Sequence, residues 1–175
     1  MAKEQALEAL RLGMSTEIWG QRFYEEAVRR TEARDGKRVF QSLVVEERQH
    51  LDILCGQYAA LTADRDWVSV EDARAMAASV NPTDIFPQGP VAGQLIPDDA
   101  TDEQALEMAK HFERRGYALY DQAARKALSP EAKAMWEYLA TAEDQHYAFL
   151  DRTQEYLTTK GAWYFDDQEL PSFEG

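Results

Sequence analysis

The chain has one cysteine, Cys55, in 175 residues. That excludes an intrachain disulfide and a cysteine-ligated iron–sulfur centre, and it implies a reducing, cytoplasmic location. Long apolar runs are missing too, so no segment is expected to span a bilayer. The opening Met1-Ala2-Lys3-Glu4-Gln5 is charged and runs straight into a helical pattern, so no apolar signal segment is expected. Positive charge is scarce: 19 Lys and Arg against 32 Asp and Glu leave a net charge of −13. Such a surface repels phosphate backbones and anionic lipid heads, which argues against nucleic-acid and membrane partners. What remains is a length and composition suited to one domain, 1–175, with a substantial core.

Within it, Glu47-Arg48-Gln49-His50 has an echo 96 residues later, Glu143-Asp144-Gln145-His146. Residues three apart share a helix face, so each Glu-x-x-His can offer a carboxylate and an imidazole to one metal ion. The same offset aligns Glu17 with Glu113, Gly20 with Gly116, Tyr24 with Tyr120, Leu43 with Leu139 and Leu54 with Leu150, without a gap. The chain is a duplicated half, and each half supplies one Glu followed by one Glu-x-x-His.

Apolar residues in steps of three and four predict four long helices. They form two hairpins, 4–62 and 102–160, joined by a crossover over 63–101 and followed by an aromatic, acidic tail over 161–175. Asp35 is expected to cap the second helix after a turn at Asp35-Gly36, Ser69 a short helix over Val70–Ser79, and Ser129 the fourth helix, with Pro130 at its first position. The crossover contains Pro82, Pro87, Pro90 and Pro97. It is long because the chain must return along a helix of about 40 Å. Residue 32 lies midway between Glu17 and Glu47, and residue 128 midway between Glu113 and Glu143, each beside a turn signal. Both carboxylate pairs should therefore lie level in their hairpins. An all-α four-helix bundle with one long crossover follows.

Packing the hairpins together brings Glu17, Glu47, His50, Glu113, Glu143 and His146 inside. Four carboxylates and two neutral imidazoles carry a charge that two divalent cations cancel, and without such partners their burial would be prohibitive. One Glu on each of two helices and Glu-x-x-His on the other two is the pattern of di-iron and di-manganese carboxylate bundles. An oxygen-rich set without thiolates favours iron, with manganese the alternative. Tyr24 and Tyr120 lie two turns beyond Glu17 and Glu113 on the same face. They are candidate catalytic groups beside the ligands, as hydrogen-bond donors or radical relays, or else core aromatics. Gly20 and Gly116 either make room beside the metals or allow close helix packing. Glu46 could orient His146, but its repeat counterpart is Ala142 and a surface role is favoured; His111 and Cys55 are read as a surface histidine and a buried thiol.

The run Ala105-Leu106-Glu107-Met108-Ala109-Lys110-His111-Phe112-Glu113 through Tyr120, with Glu143-x-x-His146, Asp84-Ile85-Phe86-Pro87 and the tail containing Trp163, resembles the rubrerythrin-like branch of the ferritin-like superfamily. The resemblance implies a ferritin-like fold and a di-iron centre that reduces hydrogen peroxide, or dioxygen, with external electrons, in oxidative-stress defence and as a homodimer. Two departures stand out. Members that act as peroxidases carry a further Glu three residues after the third-helix ligand, where this chain has Gly116. They also carry a four-cysteine rubredoxin domain, so here a separate, rubredoxin-like donor protein is implied. A ferroxidase or other iron-handling protein, and a metal-binding protein without turnover, are the alternatives.

Overall fold

The computed structural model describes residues 2–86 and 95–165. Four long helices carry it: α1 (Lys3–Arg30), α2 (Arg34–Thr62), α5 (Asp102–Lys126) and α6 (Pro130–Lys160). Between α2 and α5 lie α3 (Val70–Met76), continued by a 3-10 turn at Ala77–Ser79, and the single-turn α4 (Pro82–Ile85). No strand occurs among the described residues, and no helix of theirs is long and apolar enough to cross a membrane.

The helix ends follow from local chemistry. Ser69, Thr101 and Ser129 each accept a hydrogen bond from the backbone N–H three residues on, and Thr101 and Gln104 form a reciprocal capping box. Pro130 opens α6, where its missing N–H costs nothing. Gly161 closes that helix at φ 67°, a left-handed conformation that favours glycine. The first turn departs from expectation. Ala33, not Asp35, is the cap of α2, and Asp35 and Gly36 already lie in its first turn. The glycine serves packing instead: a Cβ at Gly36 would stand 2.7 Å from the Trp163 indole and 2.6 Å from Thr31. Trp163 occupies that space, packs edge-on against Phe40 and donates from Nε1 to Asp102 at 2.9 Å. Residues 166–175 of the tail, and Pro87 and Pro90 of the crossover, lie outside the described residues.

Side-chain contacts set the bundle's directions. Tyr24 of α1 reaches Glu113 of α5, and Tyr120 of α5 reaches Glu17 of α1, so α1 and α5 run antiparallel. His50 of α2 faces Glu143 of α6 while His146 faces Glu47, so α2 and α6 do likewise. The crossover that makes this possible is fastened at both ends. Gln57 pairs its amide with both backbone groups of Val68, and Gly56 lets the backbone of Ala73 lie directly on α2. At the other end Arg30 donates to the carbonyls of Ile96 and Asp98. The apolar core falls into two clusters, one including Leu10, Leu54, Trp136 and Leu139, the other Phe40, Leu43, Leu106 and Leu150. The polar cluster lies where they adjoin.

Candidate metal centre

Each of the six predicted ligands is at most 1% exposed. The structure brings all six together as two overlapping groups, Glu17-Glu47-His50-Glu143 and Glu47-Glu113-Glu143-His146, with candidate ligand atoms in each within 4.8 Å of one another. Glu47 and Glu143 belong to both, which is the position of a bridging carboxylate. His50 Nδ1 stands 3.3 Å from Glu143 and 3.6 Å from Glu17; His146 Nδ1 stands 3.3 Å from Glu113 and 3.5 Å from Glu47. The two imidazoles stack at 5.3 Å. The near-equality of these distances expresses the internal twofold symmetry already visible in the sequence repeat.

Tyr24 donates to Oε1 of Glu113 and Tyr120 donates to Oε1 of Glu17. Each terminal carboxylate is thereby held by one oxygen while its Oε2 stays free. Across the six residues, nine polar side-chain atoms have no hydrogen-bond partner: Oε2 of Glu17 and Glu113, both oxygens of Glu47, Oε1 of Glu143, and both nitrogens of each histidine. Buried polar atoms are normally paired, and unpaired ones converging on one place imply a missing partner. A pair of divalent cations fits the donor set in charge, number and hardness.

Without cations the charge balance is poor, and the carboxylates show it. Burial, with the neighbouring charges of Glu17 and Glu143, pushes Glu47 well above the usual carboxylate range; burial and the charges of Glu113 and Glu17 do the same to Glu143. Glu17 resists the same desolvation: contacts with Glu47, His50 and Tyr120 favour its ionised form and bring it below the ordinary value. Burial and the adjacent carboxylates raise both Tyr24 and Tyr120 well above an ordinary phenol, so they stay protonated donors.

Gly116 and Gly20 now have a geometric reason. A Cβ at Gly116 would stand 2.4 Å from Oε2 of Glu143, and one at Gly20 would stand 3.0 Å from Oε2 of Glu47 and 2.7 Å from Phe112. Each glycine vacates the volume its hairpin's shared carboxylate fills. Glu46 comes within 4.8 Å of both histidines but hydrogen-bonds neither. His111 is exposed and pairs with Glu107, and burial pushes the Cys55 thiol up to about 12.

A family model of rubrerythrin matches residues 8–154, which include all six carboxylate and imidazole positions. The chain belongs to the rubrerythrin family. That family is a ferritin-like, di-iron carboxylate family, and the all-α bundle is its fold. The 175 residues hold one cysteine, Cys55, too few for a four-cysteine rubredoxin site within them. No curated protein and no solved structure matches the chain. Sequence reasoning did not foresee the cleft of about 330 Å³ between α5 and α6, lined by Glu113, Arg114, Tyr117, Glu143, Asp144 and Tyr147. Arg114 lies over the Tyr147 ring and donates to its hydroxyl at 3.0 Å, so the lining is held in place. No sequence pattern marks it, because only the docking of two helices creates it.

Proposed function

We propose that the chain holds two iron ions and acts as an oxidoreductase that reduces hydrogen peroxide, or dioxygen, with electrons from a separate one-electron donor protein. The observation that carries this reading is the convergence of nine unpartnered buried atoms on one place. Glu17 and His50 would hold one ion, Glu113 and His146 the other, and Glu47 and Glu143 would bridge them. Bound there, the iron pair supplies two reducing equivalents and Lewis acidity at a single point.

The protein residues do the rest. Tyr24 and Tyr120 orient the terminal carboxylates and keep a proton within reach of the cluster. Apolar residues on both sides exclude bulk water, which strengthens every electrostatic contact inside. The α5–α6 cleft touches Glu113 and Glu143 and offers a small oxidant a way in. Gly116 occupies the place of the extra peroxidase-type Glu, and Glu143 fills the space such a side chain would need. Reduction here therefore proceeds with six protein ligands. A homodimer working in oxidative-stress defence completes the proposal.

Anaerobically loaded di-ferrous protein should be mixed rapidly with hydrogen peroxide and, separately, with dioxygen, following the diferric absorption. Faster oxidation by peroxide with iron retained supports the proposal. Faster oxidation by dioxygen with release of iron would replace it with ferroxidase activity. Glu47→Ala and Glu143→Ala should each lose tight binding of the second ion; full metal content in both would sink the ligand assignment.

A further inference from the structure

Two columns of aromatic rings run outward from the carboxylate cluster, and they differ in chemistry. In one, Tyr24 stacks 6.2 Å from Phe40, and Phe40 meets the half-buried Trp163 at 5.7 Å. In the other, Tyr120 stacks 5.8 Å from Trp136 with 24° between planes, and Trp136 meets the half-buried Trp67 at 6.2 Å. The 96-residue repeat makes Tyr24 and Tyr120 mates, and likewise Phe40 and Trp136. Phenols and indoles give up an electron far more readily than a phenyl ring does. The second column is oxidisable throughout, whereas Phe40 interrupts the first.

Packing alone does not account for the indole. Trp136 is fully buried, and its Nε1–H has no hydrogen-bond partner, an unfavourable state that buried donors rarely show. Its mate Phe40 fills the equivalent place, also fully buried, with no donor to satisfy. The structure therefore retains, at the centre of the second column, an oxidisable ring at the expense of an unmade hydrogen bond.

We propose that Tyr120, Trp136 and Trp67 form a one-electron relay joining the metal centre to the surface at Trp67, where a one-electron donor delivers its electrons. The inference rests on the oxidoreductase reading above and adds the route. Tyr120 yields one electron toward the centre and passes its phenolic proton to Oε1 of Glu17, which it already contacts. An electron from Trp136 refills Tyr120, which takes its proton back. Trp67 refills Trp136, and the donor, oxidised by one electron, refills Trp67. Two passages supply the two electrons that convert hydrogen peroxide and two solvent protons into two waters.

The test uses the full chain without metal, so the outcome is independent of which oxidant the centre prefers. A ruthenium polypyridyl photosensitiser is attached through Asp66→Cys, an exposed position beside Trp67; the native thiol of Cys55 is buried and does not compete. Flash oxidation with a cobalt(III) quencher should produce tryptophan-radical absorption that decays into tyrosyl-radical absorption. Trp136→Phe, which copies Phe40, should retain the first signal and lose the second. Tyr120→Phe should also lose the second, Trp67→Phe should lose both, and Tyr24→Phe should keep both. An undiminished tyrosyl yield in Trp136→Phe or Tyr120→Phe would overturn the relay, while the rapid-mixing experiment would still decide the oxidoreductase reading.

Discussion

The metal-free protein should lose stability as pH rises above the ordinary carboxylate range, and the loss should trace to Glu47 and Glu143. Both carboxyls have their affinity for protons raised well above the ordinary value of 4.5 by desolvation and by each other's neighbours. A raised group binds more protons folded than unfolded, so its stabilisation is complete below the unfolded value and disappears as pH climbs through the folded one. Above pH 4.5 each group that keeps its proton in the folded state should lower the unfolding free energy by about 1.4 kcal/mol per pH unit. The two together give a slope of up to about 2.7 kcal/mol per unit. Glu17, shifted the other way, acts below 4.5 and stays outside this window. Denaturant melts of chelator-treated protein between pH 5 and 7 measure the slope, and the Glu47→Gln/Glu143→Gln double variant supplies the reference. The difference in slope between parent and variant isolates the pair. Equal slopes, or a parent that gains stability with pH, would refute the reasoning. Loading with divalent metal should reverse the trend, because the bound carboxylates must be deprotonated.

Gly116→Ala should force the Glu143 carboxylate aside, because the new Cβ would lie 2.4 Å from its Oε2. Titration with a divalent ion should show one tight equivalent fewer, while Gly13→Ala, whose new Cβ would meet Leu54 methyls at 3.1 Å and 3.3 Å and the Tyr120 ring at 3.3 Å but no ligand atom, should keep both. Gly56→Ala puts a Cβ 1.8 Å from the Ala73 carbonyl oxygen and should release α3, at a cost of about 1–3 kcal/mol in chemical denaturation. Trp163→Phe removes the Nε1 donor to Asp102 but keeps the ring against Phe40; it should cost about 1 kcal/mol, with no change in metal stoichiometry.

The sequence alone determined the bundle, because burial imposes a period on each helix and duplication imposes it twice. Glu17, Glu47, His50 and their mates could be read as one set because carboxylates and imidazoles stand where that period demands apolar residues. Ser69 and Ser129 could be read as caps because capping is local chemistry within one turn. Distances between helices are not local, and there the tertiary structure decided. It showed that Gly36 makes room for Trp163 instead of forming a turn, since the indole comes from the far end of the chain. It showed Gly20 and Gly116 making room for the carboxylates of Glu47 and Glu143, a contact between residues 27 positions apart in each hairpin. The α5–α6 cleft, the stacking of Tyr120 on Trp136 and the edge-on contact of Trp136 with Trp67 were equally invisible beforehand. Periodicity fixes which face of a helix turns inward; only packing fixes what that face meets.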